Sequence, residues 1–187
     1  MLSQINNNFN KSSLYILLIS AIAISFRIVN SHLFINIEDT IPNFQGMIAL
    51  CLIGSCYAKN RLSGILLPIY IMFFTDLVLG FHSLWVWTYL PYVFIAIIGR
   101  VISVYSKPKI VILGAISSPI IFFLISNFGV WTFGGYGMNF EGLVACYIAG
   151  LPFLENSIAS TVLFSTIFIY MHSPFYNLYY KNSLIPT

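Results

Sequence analysis

Charge is what this chain has least of: eight Lys and Arg and five Asp and Glu, 7% of 187 residues. An ordinary soluble domain carries about 25%. With 59% of the residues hydrophobic and a mean hydropathy of +0.90, too little polar surface is left to cover a water-soluble fold. Cysteine is equally sparse. Cys51, Cys56 and Cys146 form no CxxC and have no neighbouring His; they say nothing of redox compartment and read as small apolar core residues. Long hydrophilic segments are missing too, so no separate soluble domain is expected, and residues 1–187 read as a single transmembrane domain. The apolar runs lack the alternation of a β-barrel. Catalytic signatures are wanting: there is no HExxH and no paired-Asp motif, and the run Gly134-Gly135-Tyr136-Gly137 is not followed by the Lys-Ser or Lys-Thr of a phosphate loop.

What remains is apolar sequence of bilayer length. Six spans are expected, at 14–29, 41–58, 62–79, 84–104, 110–126 and 152–171. Each is close to the roughly 20 residues that cross the hydrocarbon core as a helix. The expected fold is therefore all-α, an integral membrane bundle of six transmembrane helices. Lys11, Lys59, Arg61, Lys107, Lys109 and Lys181 all fall on one side if both termini are cytoplasmic, as the positive-inside rule requires. Glu38, Asp39 and Glu141 fall on the other. The net charge of +3 follows from that orientation and points to no nucleic acid. Ser25-Phe26-Arg27 stands where a cleavable leader would carry small residues, so the first span reads as a retained helix.

Charges at membrane depth are costly and usually functional. Arg27 ends the first span, Asp76 lies near the end of the third, and Glu155 is expected in the first turn of the sixth, just inside Pro152. All three fall at one level, in the outer leaflet. Arg100, near the inner end of the fourth span, is expected to snorkel to the headgroups. Stripes at helical spacing, Ser13/Ser20/Arg27 and Glu155/Ala159/Val162/Thr166, are expected to face the bundle interior. Around the same outer end gather Asn43, Asn127 and Asn156, which orient polar edges, and His82. Trp85, Trp131 and Tyr136 stand among glycine-rich loops and would cover a flat ligand face. The bland reading of these residues is an aromatic belt and a structural ion-pair set. No catalytic residue, metal or cofactor is expected; His82 with a thiol would be the starting point for a soft metal.

The order Pro42-Asn43-Phe44, Thr75-Asp76-Leu77-Val78-Leu79-Gly80-Phe81-His82, Ser126-Asn127-Phe128-Gly129-Val130-Trp131 and Leu151-Pro152-Phe153-Leu154-Glu155-Asn156 resembles an uncharacterised family of bacterial six-helix membrane proteins. That family in turn resembles the substrate-binding S components of energy-coupling-factor vitamin transporters. The resemblance implies a bacterial inner-membrane protein that captures a vitamin or related micronutrient from outside. Its partners would be a small-molecule substrate, the lipid bilayer and, as for S components, a transmembrane coupling protein with two ATPases. S components often carry Ala-x-x-x-Ala on the first helix; the nearest pattern here is Ala21-x-x-x-Ser25. Two other classes remain open: a structural or assembly subunit, and a membrane-embedded enzyme built on Asp76, His82 and Glu155.

Overall fold

The computed structural model describes residues 14–25, 27–28, 43–44, 46–58, 60–102 and 108–183. They form six helices, with no strand among the described residues. α1 covers Leu14–Ser25, α2 Met47–Tyr57, α3 Arg61–Leu79, α4 Trp85–Val101, α5 Pro108–Thr132 and α6 Phe140–Ser183. Three apolar stretches, Leu62–Leu79, Lys109–Thr132 and Phe140–His172, are long and apolar enough to cross a membrane.

The centre of the bundle is α2. Its residues Met47 to Ser55 are all buried, because a helix apolar on every side gains only if it is surrounded. α3, α4, α5 and α6 all pack on it. Close approach on the α4 side depends on Gly99, where a Cβ would collide with the backbone carbonyl of Leu52. Small residues at such contacts let helix backbones meet. α1 joins at the far end of α2, where Tyr15 meets Tyr57 edge to face and donates to the carbonyl of Phe168 on α6 (2.8 Å).

Local chemistry explains the boundaries of α3. Asn60 caps its start, the side-chain oxygen accepting from the Leu62 N–H at 3.1 Å. Gly80 ends it with φ 93°, a conformation glycine adopts without strain.

Elsewhere the expected boundaries move. α2 starts at Met47 rather than at 41. α5 continues through Asn127-Phe128-Gly129-Val130-Trp131, the segment expected to be a loop, and ends at Thr132. Asn127 does not break the helix because its amide donates back to the Phe123 carbonyl at 2.9 Å. α6 starts at Phe140, twelve residues before the expected start at Pro152. Its N-terminus is capped by Asn139, which accepts from the Gly142 N–H at 2.7 Å. Pro152 thus lies inside α6, and Glu155 is not in a first turn.

The inward face of α6 also differs from the expected stripe. Ser157, Ser160, Thr161, Phe164, Ser165 and Phe168 are buried, at spacings that define one helix face. Glu155, Ala159 and Thr166 are exposed. The apolar surface of α2 offers a carboxylate no partner, so burial there would be costly. A small hydroxyl is less costly to bury: Ser160 donates to the carbonyl of Ser157 (3.2 Å), while Thr161 and Ser165 are buried without a hydrogen-bond partner among the described residues.

Candidate functional site

Two polar features lie near the end of the bundle where α3 finishes and α4 begins. The first is a buried network on the α3 side. Arg27 Nη2 meets Asp76 Oδ1 at 2.5 Å, the one ion pair among the described residues. Its Nη1 donates to the Thr75 hydroxyl and contacts Met72 Sδ at 3.0 Å. Asp76 is 1% exposed, and its second oxygen accepts from the Tyr89 hydroxyl at 2.7 Å. Both carboxylate oxygens are thereby engaged, and α1, α3 and α4 are tied at one point. Removing a carboxylate and a guanidinium from water costs several kcal/mol each, and only this dense pairing offsets it.

The second feature is a cleft of about 380 Å³ between α4, α5 and α6. Its polar lining comes from Asn43, His82, Thr88, Ser126 and Asn127, and its aromatic lining from Trp87, Phe122, Tyr136 and Phe153. Asn43 is held at φ 61°, in the left-handed region that Asn tolerates better than most side chains. The Trp87 indole sits where Gly129 leaves room on α5; any Cβ there would strike the ring. Phe128 then packs edge to face on Trp87 at 5.5 Å. Gly150 does the same for Asn127: an added Cβ would lie 2.6 Å from Asn127 Oδ1. The cleft therefore exists because glycines on α5 and α6 make room for larger side chains from their neighbours.

These two features divide the expected site residues. Arg27 and Asp76 belong to the network; Asn43, His82, Asn127 and Tyr136 belong to the cleft. Trp85 is 51% exposed and packs its edge on Tyr89, so that Trp87 rather than Trp85 reaches the cleft. Trp131 donates through Nε1 to the carbonyl of Gly137 at 2.9 Å and so fastens the turn between α5 and α6. Glu155 is exposed, apart from both features. α6 faces the cleft with Cys146, Ala149, Gly150 and Phe153. At about 100° per residue, Glu155 points roughly 180° away and Asn156 roughly 80°.

Several participants escaped sequence reasoning. In the sequence Thr75 reads only as part of the motif that opens on it, and Tyr89, thirteen residues from Asp76, carries no signal of its own. Thr88 and Ser126 are neutral hydroxyls in apolar helices, visible only once the faces are known. His82 and Cys146 both line the cleft, but no group of three metal-ligating side chains occurs among the described residues. All three cysteines are free thiols.

At the opposite end, Arg100 does not reach outward as expected. Its Nη1 donates to the carbonyls of Ser55 (3.0 Å) and Ala58 (2.5 Å). These are orphan acceptors at the C-terminus of α2, where a cation is favoured. Tyr57 stacks on His172 close by, with centroids 3.8 Å apart.

No curated protein and no solved structure matches the chain. A family of unknown function, DUF6580, matches residues 7–180, and the chain belongs to that family.

Proposed function

We propose that this chain is a multi-pass protein of the bacterial inner membrane, both termini cytoplasmic, that binds a vitamin-like small molecule from the outer side for uptake, in the manner of an S component. The supporting observation is the cleft. Its size falls within the range of small-molecule sites, about 300–1,000 Å³, and it combines stacking faces with convergent hydrogen-bonding groups. The cleft is lined from the start of α4, an end that lies outside if the positive-inside reading of the sequence holds.

The surface supports the bilayer as solvent. Large exposed apolar side chains occur on every helix except α2, for example Leu17, Phe74, Val101, Leu113 and Ile148. Water would disfavour so continuous a surface. α2 is too short to cross alone, and irregular backbone at membrane depth is tolerated only inside protein or beside a cavity. Asn43, just before α2, meets that condition by lining the cleft. On α1, Ala21 and Ser25 are exposed on successive turns, a departure from the Ala-x-x-x-Ala of S components, so the coupling protein is a partner by resemblance alone.

The test is native mass spectrometry with solvent extraction of the detergent-purified protein from its own host. The expected result is a retained molecule of vitamin size, lost from a folded Trp87→Ala variant. An empty protein that brings down a membrane partner, with no ligand, would replace this reading with that of an assembly subunit.

A further inference from the structure

The side of α6 opposite its buried face carries a carboxylate. Glu155, Ala159, Val162 and Thr166 recur at a four-three-four spacing, within an arc of about 60°. Glu155, Ala159 and Thr166 are exposed and Val162 is partly so. Glu155 has neither an ion-pair nor a hydrogen-bond partner among the described residues.

The depth of Glu155 follows from its neighbours. Asn127 on the antiparallel helix α5 packs on Gly150. Lys109 lies eighteen residues back along α5, a distance of about 27 Å. Glu155 is five residues past Gly150 toward the Lys109 end, and so stands about 20 Å from the level of Lys109. In a hydrocarbon layer of about 30 Å this is well beneath the outer headgroups, beyond the reach of a glutamate side chain.

A carboxylate facing lipid at that depth is costly, and intramembrane charges are as a rule paired. The chain offers no cation for it. Of the eight Lys and Arg, Arg27 is taken by Asp76 and the others belong in sequence to the opposite helix ends. A second copy in the same orientation would bring the same set.

We infer that this face of α6 docks a transmembrane helix of a different protein, which sets a Lys or Arg against Glu155. Ala159 lets the partner backbone approach closely. Thr166 donates its hydroxyl to the Val162 carbonyl at 2.8 Å and adds no unmet donor. The inference rests on the bilayer reading and is independent of what the cleft holds.

The experiment places a photoreactive side chain at Ala159 or Thr166 of the full-length protein, in membranes of its own host. Adducts are identified by mass spectrometry. The expected product joins the chain to a transmembrane segment with a Lys or Arg within about two helical turns of the attachment point. Glu155→Gln should lower its yield at least about tenfold and leave the Tm of the purified protein unchanged, because Glu155 holds nothing within the chain. Glu155→Lys should also abolish the adduct, and replacing the mapped partner cation by Glu should restore it. Adducts to lipid alone, to a second copy or to residues 29–42 of the same chain would overturn the inference. So would a partner segment without Lys or Arg, or a yield that Glu155→Gln does not change. A chain that alkaline carbonate washes from the membrane would defeat the bilayer reading itself, and the inference with it.

Discussion

Replacing Asp76 by Asn keeps the side-chain volume and removes its charge, leaving the Arg27 guanidinium against Thr75 and Met72 without a counter-ion. Arg27 is 14% exposed and Asp76 1%, so little water is available to replace the lost partner. Breaking a buried pair by removing one member costs on the order of 3–5 kcal/mol. At about 2–4 °C per kcal/mol for a chain of this size, the Asp76→Asn variant should lose roughly 6–20 °C in Tm. Arg27→Met should cost a similar amount, because it leaves the carboxylate with only the Tyr89 hydroxyl. The decisive assay is a double-mutant cycle in detergent. The Arg27→Met/Asp76→Asn protein should be more stable than the sum of the single losses allows, by about 2–3 kcal/mol of coupling. Single losses that add to within about 0.5 kcal/mol of the double would show that the two charges do not stabilise one another. The argument from burial and pairing would then be wrong.

Three further outcomes follow from contacts of the same kind. Tyr89→Phe removes the donor to Asp76 Oδ2 and should cost about 1–3 kcal/mol, the penalty for an unsatisfied buried acceptor, measured by thermal melting; no change in Tm would mean that another donor replaces the hydroxyl. Gly99→Ala forces a methyl group against the Leu52 carbonyl, and the α2–α4 contact should lose about 1–3 kcal/mol through overpacking. Arg100→Met withdraws the guanidinium from the carbonyls of Ser55 and Ala58; amide exchange at the end of α2 should accelerate, with a cost of about 1.5–3 kcal/mol, and unchanged exchange would refute the capping role.

The presence of six apolar helices was more legible in the sequence than their boundaries or the direction each side chain takes around its helix. The α3 boundaries are marked by Asn60 and Gly80, and α4 runs from Trp85 to Val101, within three residues of the expected span. The α5–α6 boundary was misjudged because the relevant residues have two physical uses. Asn127 and Gly129 look like helix breakers, but Asn127 bonds to its own helix and Gly129 makes room for Trp87. Pro152 suits a first turn, yet it also sits within a long helix whose real start is signalled by Asn139 and the acidic Glu141. Direction failed for a different reason. Arg27, Asp76 and Glu155 share a sequence-level depth, but depth does not reveal azimuth, and only contact geometry separates the pair that meets from the carboxylate that turns away.

α4 shows what that missing coordinate decides. Two adjacent residues leave it on different sides, Tyr89 toward the carboxylate of Asp76 on α3 and Thr88 toward the cleft beside α5 and α6. A successive pair separated by about 100° on a helix must serve different neighbours, and here the neighbours are the Arg27–Asp76 network and the cleft beside α5 and α6. The same offset keeps the ion pair out of the cleft while holding the helix that carries Trp87 and Thr88. Arg27, expected at the same outer end as Asn43 and His82, is instead engaged with Asp76, Thr75 and Met72, while the cleft is lined by carboxamides, hydroxyls and rings together with His82.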